Sequence, residues 1–173
     1  MKFVFQTATN APRQKTQAIV KQALQKAGME VELKAVPASV FFSSDEGNPD
    51  SYTKFYCDLQ MYGTNMRQPD PDLFMTQFVS TEASSKANKW QGRNISRWKN
   101  EEYDRAYRAA ESELDAVKRA ALFIRMNELM IENRAVIPLM SRFEVNAAAN
   151  RLQVPLSGWD TTLWLLKDWF RES

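Results

Sequence analysis

The first 36 residues contain the pattern that most restricts the fold. An apolar run at 3–5 is followed by Asn10 and Pro12, which favour the start of a helix. Apolar residues then recur at helical spacing, at Ile19, Val20, Ala23, Leu24 and Ala27. Gly28 suits the position after a helix end, and apolar and charged residues alternate over 30–36 as in a half-buried strand. Strand, helix and strand in this order predict a βαβ unit with parallel strands and a right-handed crossover.

The rest of the chain continues with strand and helix patterns. They predict a third strand at 55–62, a helical segment at 72–79, helices at 101–114 and 116–133, a short strand at 135–142 and a possible further strand at 143–154. Asn100 and Asp115 are placed to cap the two long helices. Their apolar stripes are assigned to Tyr103, Tyr107, Ala110 and Leu114, and to Val117, Ala121, Ile124 and Leu129 with Phe123, Met126 and Met130 alongside. The predicted fold class is α/β, a mixed sheet with a parallel βαβ start and flanking helices.

Composition excludes several classes of function. A chain of 173 residues suits one domain, and 23 basic against 21 acidic residues give no electrostatic reason to propose nucleic acid. Histidine is absent and Cys57 is the single cysteine, so we expect no disulfide within the chain, no metal site and no cofactor. Cys57 is interpreted as a small buried hydrophobe. No run of 18 apolar residues occurs, and the apolar stretch near Met1 is too short for an export signal.

Catalysis is also disfavoured by the residues present. Without histidine no hydroxyl–histidine dyad can form, and no SxxK sequence supplies a lysine in its place. Gly63 stands alone rather than in a phosphate-binding loop. The carboxylates of Asp70 and Asp72 are interpreted as turn chemistry. No catalytic residue is predicted, and a hydrolase built on hydroxyl and lysine side chains is the least favoured of three hypotheses.

The stretch after the third strand is the first candidate binding site. In α/β sheets ligands bind at the carboxyl ends of parallel strands. Small side chains at Gly63 and Thr64 leave the backbone accessible, while Pro69 and Pro71 restrict the path of the chain. The predicted ligand-binding residues here are Tyr62, Gly63, Thr64, Asn65 and Arg67. The alternative is a turn without a ligand role.

A second candidate lies in the stretch NKWQGRNISRW. Aromatic, arginine and amide side chains suit a polar or sugar-like ligand or a peptide backbone. Trp90, Arg93 and Asn94 are the predicted contacts. The alternative is that these residues lock a long loop against the sheet.

Three stretches together resemble a known family. They are FVFQTATNAPRQKTQAIVKQALQKAGMEVEL, YCDLQMYGTNMRQPDPDLFMTQF and NISRWKNEEYDRAYRAAESELDAVKRAALFIRMNELMIENRAVIPL. The resemblance is to the C-terminal part of bacterial extracellular solute-binding proteins of family 5, the peptide, oligopeptide and nickel class that serves ABC importers. It covers nearly the whole chain.

The resemblance implies a fold, a location and partners. Residues 1–173 would form the C-terminal lobe of a type II periplasmic-binding-protein-like fold, with 143–173 returning toward a first lobe. The chain would be a piece of a longer periplasmic or extracellular protein, itself without an export signal. That protein would bind a small peptide or a polar or anionic solute, without a cofactor, and deliver it to an ABC permease.

One position departs from the family pattern. In peptide-binding relatives an acidic residue beyond the third strand often holds the amino group of the ligand. Matching on Pro71 places Arg67 there, with Met66 beside it, which favours an anionic or sugar-containing solute over a free-amine peptide. The competing hypothesis is a stand-alone interaction or oligomerisation module that uses the aromatic C-terminal segment SGWDTTLWLLKDWF.

Overall fold

The computed structural model describes residues 1–66, 68–141, 147–155 and 165–172. Its sheet has three strands in the order β2-β1-β3, where β1 is Lys2–Ala8, β2 is Glu30–Val36 and β3 is Leu59–Met61. Both strand pairs are parallel. Helix α1 (Ala11–Lys26) connects β1 to β2. The predicted βαβ unit and the α/β class are confirmed, and all three strands end at the same edge of the sheet.

Helix α1 is fixed to the sheet by a buried amide. Asn10 caps the helix, since its side chain accepts a hydrogen bond from the Arg13 amide at 3.3 Å. Gln17 is fully buried, and its Nε2 donates to the carbonyls of Phe5 in β1 and Lys34 in β2. This contact sets the rotation of the helix. The apolar residues that recur at helical spacing are therefore not all turned to the sheet, since Ile19 is 66% exposed and Ala23 and Ala27 are also exposed.

Strand β3 is shorter than the predicted 55–62. Phe55 adopts a left-handed φ of 44°, which ends extended structure at that end. Asp58 then makes two hydrogen bonds with the backbone of Val4 in β1. The Asp58 carboxylate accepts from the Val4 amide at 2.7 Å, and the Asp58 amide donates to the Val4 carbonyl at 3.1 Å. Ladder pairing begins only at Leu59.

The later helices form a unit with its own core. These are α3 (Asp72–Met75), which continues as a 3₁₀ turn over Thr76–Phe78, then α4 (Glu101–Ser112) and α5 (Ala116–Glu132). The predicted caps are confirmed, because Asn100 accepts from Tyr103 and Asp115 accepts from Val117 and Lys118. The buried core consists of Met75, Phe78, Val79, Tyr103, Ala106, Tyr107, Ala110, Phe123, Met126, Leu129 and Met130.

The predicted helix stripes were partly wrong. Leu114 is 97% exposed because α4 ends at Ser112 and the chain turns away before reaching it. Val117 and Ile124 are 80% and 61% exposed. They lie on the outer side of α5, because the face that contains Phe123, Met126 and Met130 packs against α4.

Arg97 joins the helical unit to the segment before β3. Its Nη1 and Nη2 each donate at 3.0 Å, to the carbonyls of Lys54 and Phe55. The rings of Tyr56 and Trp90 make a second contact, edge to face at 5.5 Å between centroids. A guanidinium and a ring pair thus join two parts of the chain whose hydrophobic cores are separate.

The chain after α5 is irregular. Helix α5 ends in two backbone bonds, Ala135 to Met130 and Arg134 to Ile131, with Arg134 left-handed at φ 55°. The predicted strand 135–142 was wrong, because 136–141 is irregular and makes no backbone hydrogen bond to another described residue. Pro138 within it has no N–H to donate.

A small antiparallel pair lies nearer the C-terminus. It joins β4 (Leu152–Gln153) to β5 (Phe170–Arg171) and is separate from the parallel sheet. The possible strand at 143–154 is thus limited to 152–153 among the described residues. Within the described ranges, no helix has the length and apolar character needed to span a membrane.

Candidate functional site

The carboxyl edge of the parallel sheet is built around a small buried cluster. Helix α2 (Ala38–Phe41) directly follows β2, and Phe41 packs with Ala8 and Val36, the last residues of β1 and β2. Tyr52 and Tyr62 lie against this cluster. The Tyr52 ring centroid is 5.9 Å from that of Phe41 and 5.6 Å from that of Tyr62. A row of rings therefore supports the end of β3.

The predicted residues after β3 lie at this edge and face solvent. Tyr62 is half-buried, and burial raises the pKa of its hydroxyl. Gly63, Thr64 and Asn65 are exposed. Their backbone groups form no hydrogen bond to another described residue. Arg67 lies outside the described residues.

The two Pro-Asp steps are anchored to the helical unit. Asp70 accepts two hydrogen bonds from the Arg119 guanidinium, at 2.8 and 3.1 Å, and one from the Asp72 amide at 2.9 Å. Arg119 also donates to the Ala110 carbonyl at 2.9 Å and lies 4.8 Å above the Phe123 ring. The turn interpretation of the acidic residues is confirmed for Asp70. The ion pair with Arg119 was not predicted, because 49 residues separate the partners.

Asp70→Asn should remove a pH-dependent part of the stability. The Arg119 hydrogen bonds hold the pKa of the Asp70 carboxyl below its usual range. A carboxyl with a depressed folded-state pKa stabilises the fold above its unfolded-state pKa, and this contribution is lost as the pH falls through the folded-state value. We therefore expect urea midpoints of wild type and Asp70→Asn to differ at neutral pH and to converge in acid. A constant difference down to low pH would contradict this, and the exposed Asp168→Asn serves as the control.

Asn94 is an internal brace of the long loop. Its side chain is fully buried, and its Nδ2 donates to the carbonyls of Val79 at 3.1 Å and Trp98 at 2.8 Å, with a longer contact to Phe78 at 3.5 Å. Its Oδ1 accepts from the Ser96 hydroxyl at 3.0 Å. These contacts fit the loop-locking alternative, because both N–H groups of the amide are engaged and the side chain is closed to solvent.

Trp90 and Arg93 lie on one wall of a groove of about 300 Å³. The groove is lined by Phe42, Ser43, Ser44, Asp45, Glu46, Tyr52, Thr53, Lys89, Trp90, Gln91, Gly92, Arg93 and Ile95. Tyr52 links this groove to the strand exit, because its ring also contacts Tyr62. Arg93 is exposed, and its Nη1 makes one long contact, 3.4 Å to the Leu73 carbonyl. The groove and the exit of β3 thus share one tyrosine as a wall.

Sequence reasoning missed the opposite wall of this groove. The loop after α2 is tied to residues 51–54, since Ser51 donates to the Ser43 carbonyl at 2.7 Å and Lys54 donates to the Glu46 carbonyl. Phe42 packs edge-on against Phe41 at 4.9 Å, which directs it away from the cluster and leaves it 45% exposed. The one available signal was the aromatic content of VFF at 40–42, which three residues separate from the end of β2.

The described residues hold little that suits a metal or a covalent step. None of them forms a group of three or more Cys, Asp or Glu side chains placed to hold a metal ion. Burial raises the pKa of the half-buried Cys57 thiol to about 11, so it stays protonated at neutral pH.

Comparison with known proteins supports the fold. No protein-family model matches the chain, and no curated protein matches it significantly in sequence. Solved structures do match. The murein tripeptide binding protein MppA of Escherichia coli is 21% identical with a TM-score of 0.64, over 78% of this chain and 23% of that chain. A peptide-binding protein of a peptide ABC transporter is 23% identical with a TM-score of 0.63, over 79% of this chain and 55% of that one.

A third match was solved with a ligand. The oligopeptide binding protein of Thermus thermophilus, complexed with a pentapeptide, is 25% identical with a TM-score of 0.62, over 76% of this chain and 22% of that chain. This chain has the fold of one part of such binding proteins. The resemblance inferred from the sequence is confirmed at that level. The chain spans less than two thirds of the length of each of these three proteins.

Proposed function

We propose that this chain is a ligand-binding lobe of an ABC-importer solute-binding protein for peptides or related small polar solutes, without catalysis. One observation carries the proposal. The stretch Gly63–Asn65 is exposed, and its backbone makes no hydrogen bond to another described residue, at the carboxyl edge of a parallel sheet whose fold is shared with peptide-binding proteins. The parent protein would act in the periplasm or outside the cell and pass its ligand to a membrane permease.

The proposed mode of binding follows from the chemistry of this stretch. A peptide main chain carries alternating N–H and C=O groups, which can pair with the backbone groups of residues 63–65 that bond to no other described residue. The Tyr62 ring packs against Tyr52 and can contact the ligand from a fixed position. In a two-lobed parent, hinge closure would complete the site. One lobe alone supplies part of the contacts, so we expect weak binding by this chain.

Titration with N-acetylated tri-alanine, which has no free amino group and is called tri-alanine below, followed by NMR, tests the proposal. We expect saturable shifts of the backbone amide signals of residues 62–66 at millimolar peptide. Gly63→Val should abolish them, because the added side chain covers the backbone that the ligand would approach. Thr81→Val, at an exposed position elsewhere, is the control. Shifts confined to other surfaces, or an unaffected Gly63→Val variant, would overturn the proposal.

A stand-alone interaction or oligomerisation module is the second candidate. The aromatic segment on which this hypothesis rests spans 157–170, and its residues 157–164 lie outside the described residues. Among the described residues, the irregular segment after α5 favours the module, because Ile137, Leu139 and Met140 are 68%, 49% and 65% exposed. Size-exclusion chromatography with light scattering separates the candidates. The module requires a defined oligomer or complex, and a monomer that binds tri-alanine supports the lobe.

A further inference from the structure

We propose that the groove between residues 42–46 and 89–93 is a separate subsite for a small organic anion, with a carboxylate at the basic rim and an apolar ring between the aromatic walls. The strand exit at residues 63–65 adjoins the groove through Tyr52, but none of those three residues lines the groove. The inference therefore stands whether or not that stretch holds a peptide.

A buried cation behind the groove is the first support. Lys54 is 5% exposed, and its Nζ donates to the Glu46 carbonyl and lies 5.6 Å from the centre of the Trp90 ring. Among the described residues, no carboxylate is within ion-pair distance of it. An ammonium has three N–H donors, and a buried charge is costly unless an opposite charge compensates it. An anion bound in the adjacent groove would supply that charge.

The rim of the groove adds two more cations. Lys89 and Arg93 are exposed, and neither forms an ion pair with a described carboxylate. On the opposite side, Asp45 has one oxygen engaged by the Gly47 amide of its own turn at 2.8 Å. The lining thus holds the cations Lys89 and Arg93 and the carboxylates Asp45 and Glu46, and the buried Lys54 behind it adds a third cation. A guanidinium binds a carboxylate through two parallel hydrogen bonds, which makes Arg93 the preferred contact.

The aromatic walls indicate what the anion carries. Phe42 and Tyr52 lie on one side, with ring centroids 5.4 Å apart, and Trp90 lies on the other. Cations already approach two of these rings, because Arg13 lies 5.9 Å from the Phe42 ring and Lys54 lies near that of Trp90. A cationic ligand would meet repulsion there, whereas an apolar ring can stack. The volume of about 300 Å³ is at the lower end for small-molecule sites.

The Trp90 wall is held in an unfavourable backbone conformation. Lys89 and Trp90 are both left-handed, at φ 55° and 61°, which is costly for bulky residues. The Trp90 amide donates to the Ser85 carbonyl at 2.8 Å, and Gly92 lies so close to Glu82 that an added Cβ would be 2.3 Å from its carbonyl oxygen. Conformations of this kind persist where the surroundings enforce them, often at ligand sites.

Calorimetric titration of the full chain with benzoylglycine and with its neutral amide tests the subsite. We expect the carboxylate to bind about tenfold more tightly than the amide, a typical gain for a charged hydrogen bond. Added salt should weaken the binding of the carboxylate but not that of the amide. Arg93→Gln should reduce affinity about fivefold, as expected for an exposed charge pair. Arg108→Gln, which removes an exposed cation from α4, should leave it unchanged.

Two further measurements complete the test. Lys54→Met removes the buried charge at similar length and should also weaken the carboxylate. If that variant does not fold, Arg93→Gln and the salt series give the answer. Equal binding of carboxylate and amide, or unchanged affinity in Arg93→Gln, would overturn the subsite. Tri-alanine shifts at residues 62–66 that survive Arg93→Gln show that the proposed function stands even where the subsite fails.

Discussion

Replacing Phe41 by alanine should lower the free energy of unfolding by about 4 kcal/mol. The ring is fully buried and packs against Ala8 and Val36, so its loss removes apolar burial and leaves a cavity beneath the carboxyl edge of the sheet. Tyr52 would lose a stacked neighbour, and with it the support of Tyr62. We therefore expect tri-alanine binding at the strand exit to weaken as well. Urea unfolding and the NMR titration measure the two effects.

Met126→Ala is the matched control for Phe41→Ala. Met126 is also fully buried, but it lies in the core of the helical unit. Its removal should cost about 3 kcal/mol and leave the Tyr52 and Tyr62 ring signals unchanged. Equal changes of those signals in both variants would show that Phe41 has no special part in supporting the site.

Asn94→Ala should destabilise the chain by about 3 kcal/mol, since buried carbonyls that lose a donor cost about 1–3 kcal/mol each. The carbonyls of Val79 and Trp98 would lose the Asn94 amide, and the Ser96 hydroxyl would lose its acceptor. Thermal or urea unfolding measures the change. Because this side chain is closed to solvent, affinity at the strand exit should be unaffected wherever the variant is folded.

Asn88→Ala provides the comparison in the same loop. Asn88 also bonds the backbone through its side chain, to Ala83 and Ser85, but it is exposed. Water can replace those bonds, and we expect a loss of at most about 1 kcal/mol. A result in which Asn94→Ala weakens ligand binding without lowering stability would identify Asn94 as a ligand contact after all.

Local signals were sufficient for the elements that depend on neighbours in sequence. The helix caps at Asn10, Asn100 and Asp115 follow from side chains that accept bonds from amides two or three residues later. The βαβ unit follows from periodicity and from a general rule of handedness. The rotation of α1 about its axis was harder to predict. The apolar pattern favours burial of Ile19, but Gln17 is buried instead, because it donates to two strand carbonyls.

The candidate site likewise has one part that the sequence predicts and one part that it does not. The strand exit was predictable, since it needs only the position of β3 in a parallel sheet. The groove was not, because it brings together residues 42–46, 52–53 and 89–93, which no local pattern relates. For the same reason the ion pair of Asp70 with Arg119 was missed. Segment 136–141 has a strand-like composition but finds no partner strand among the described residues.

The separation of the sheet cluster from the helical core has a consequence for cooperativity. Two small cores joined by Arg97 and by the Tyr56–Trp90 pair can open at different temperatures. The groove has walls on both sides of that junction, so an occupant would bridge the two units and make their melting more nearly simultaneous. Ligand binding would then narrow the thermal unfolding transition as well as raise its midpoint, so the width of the transition would also measure how much of the groove is occupied.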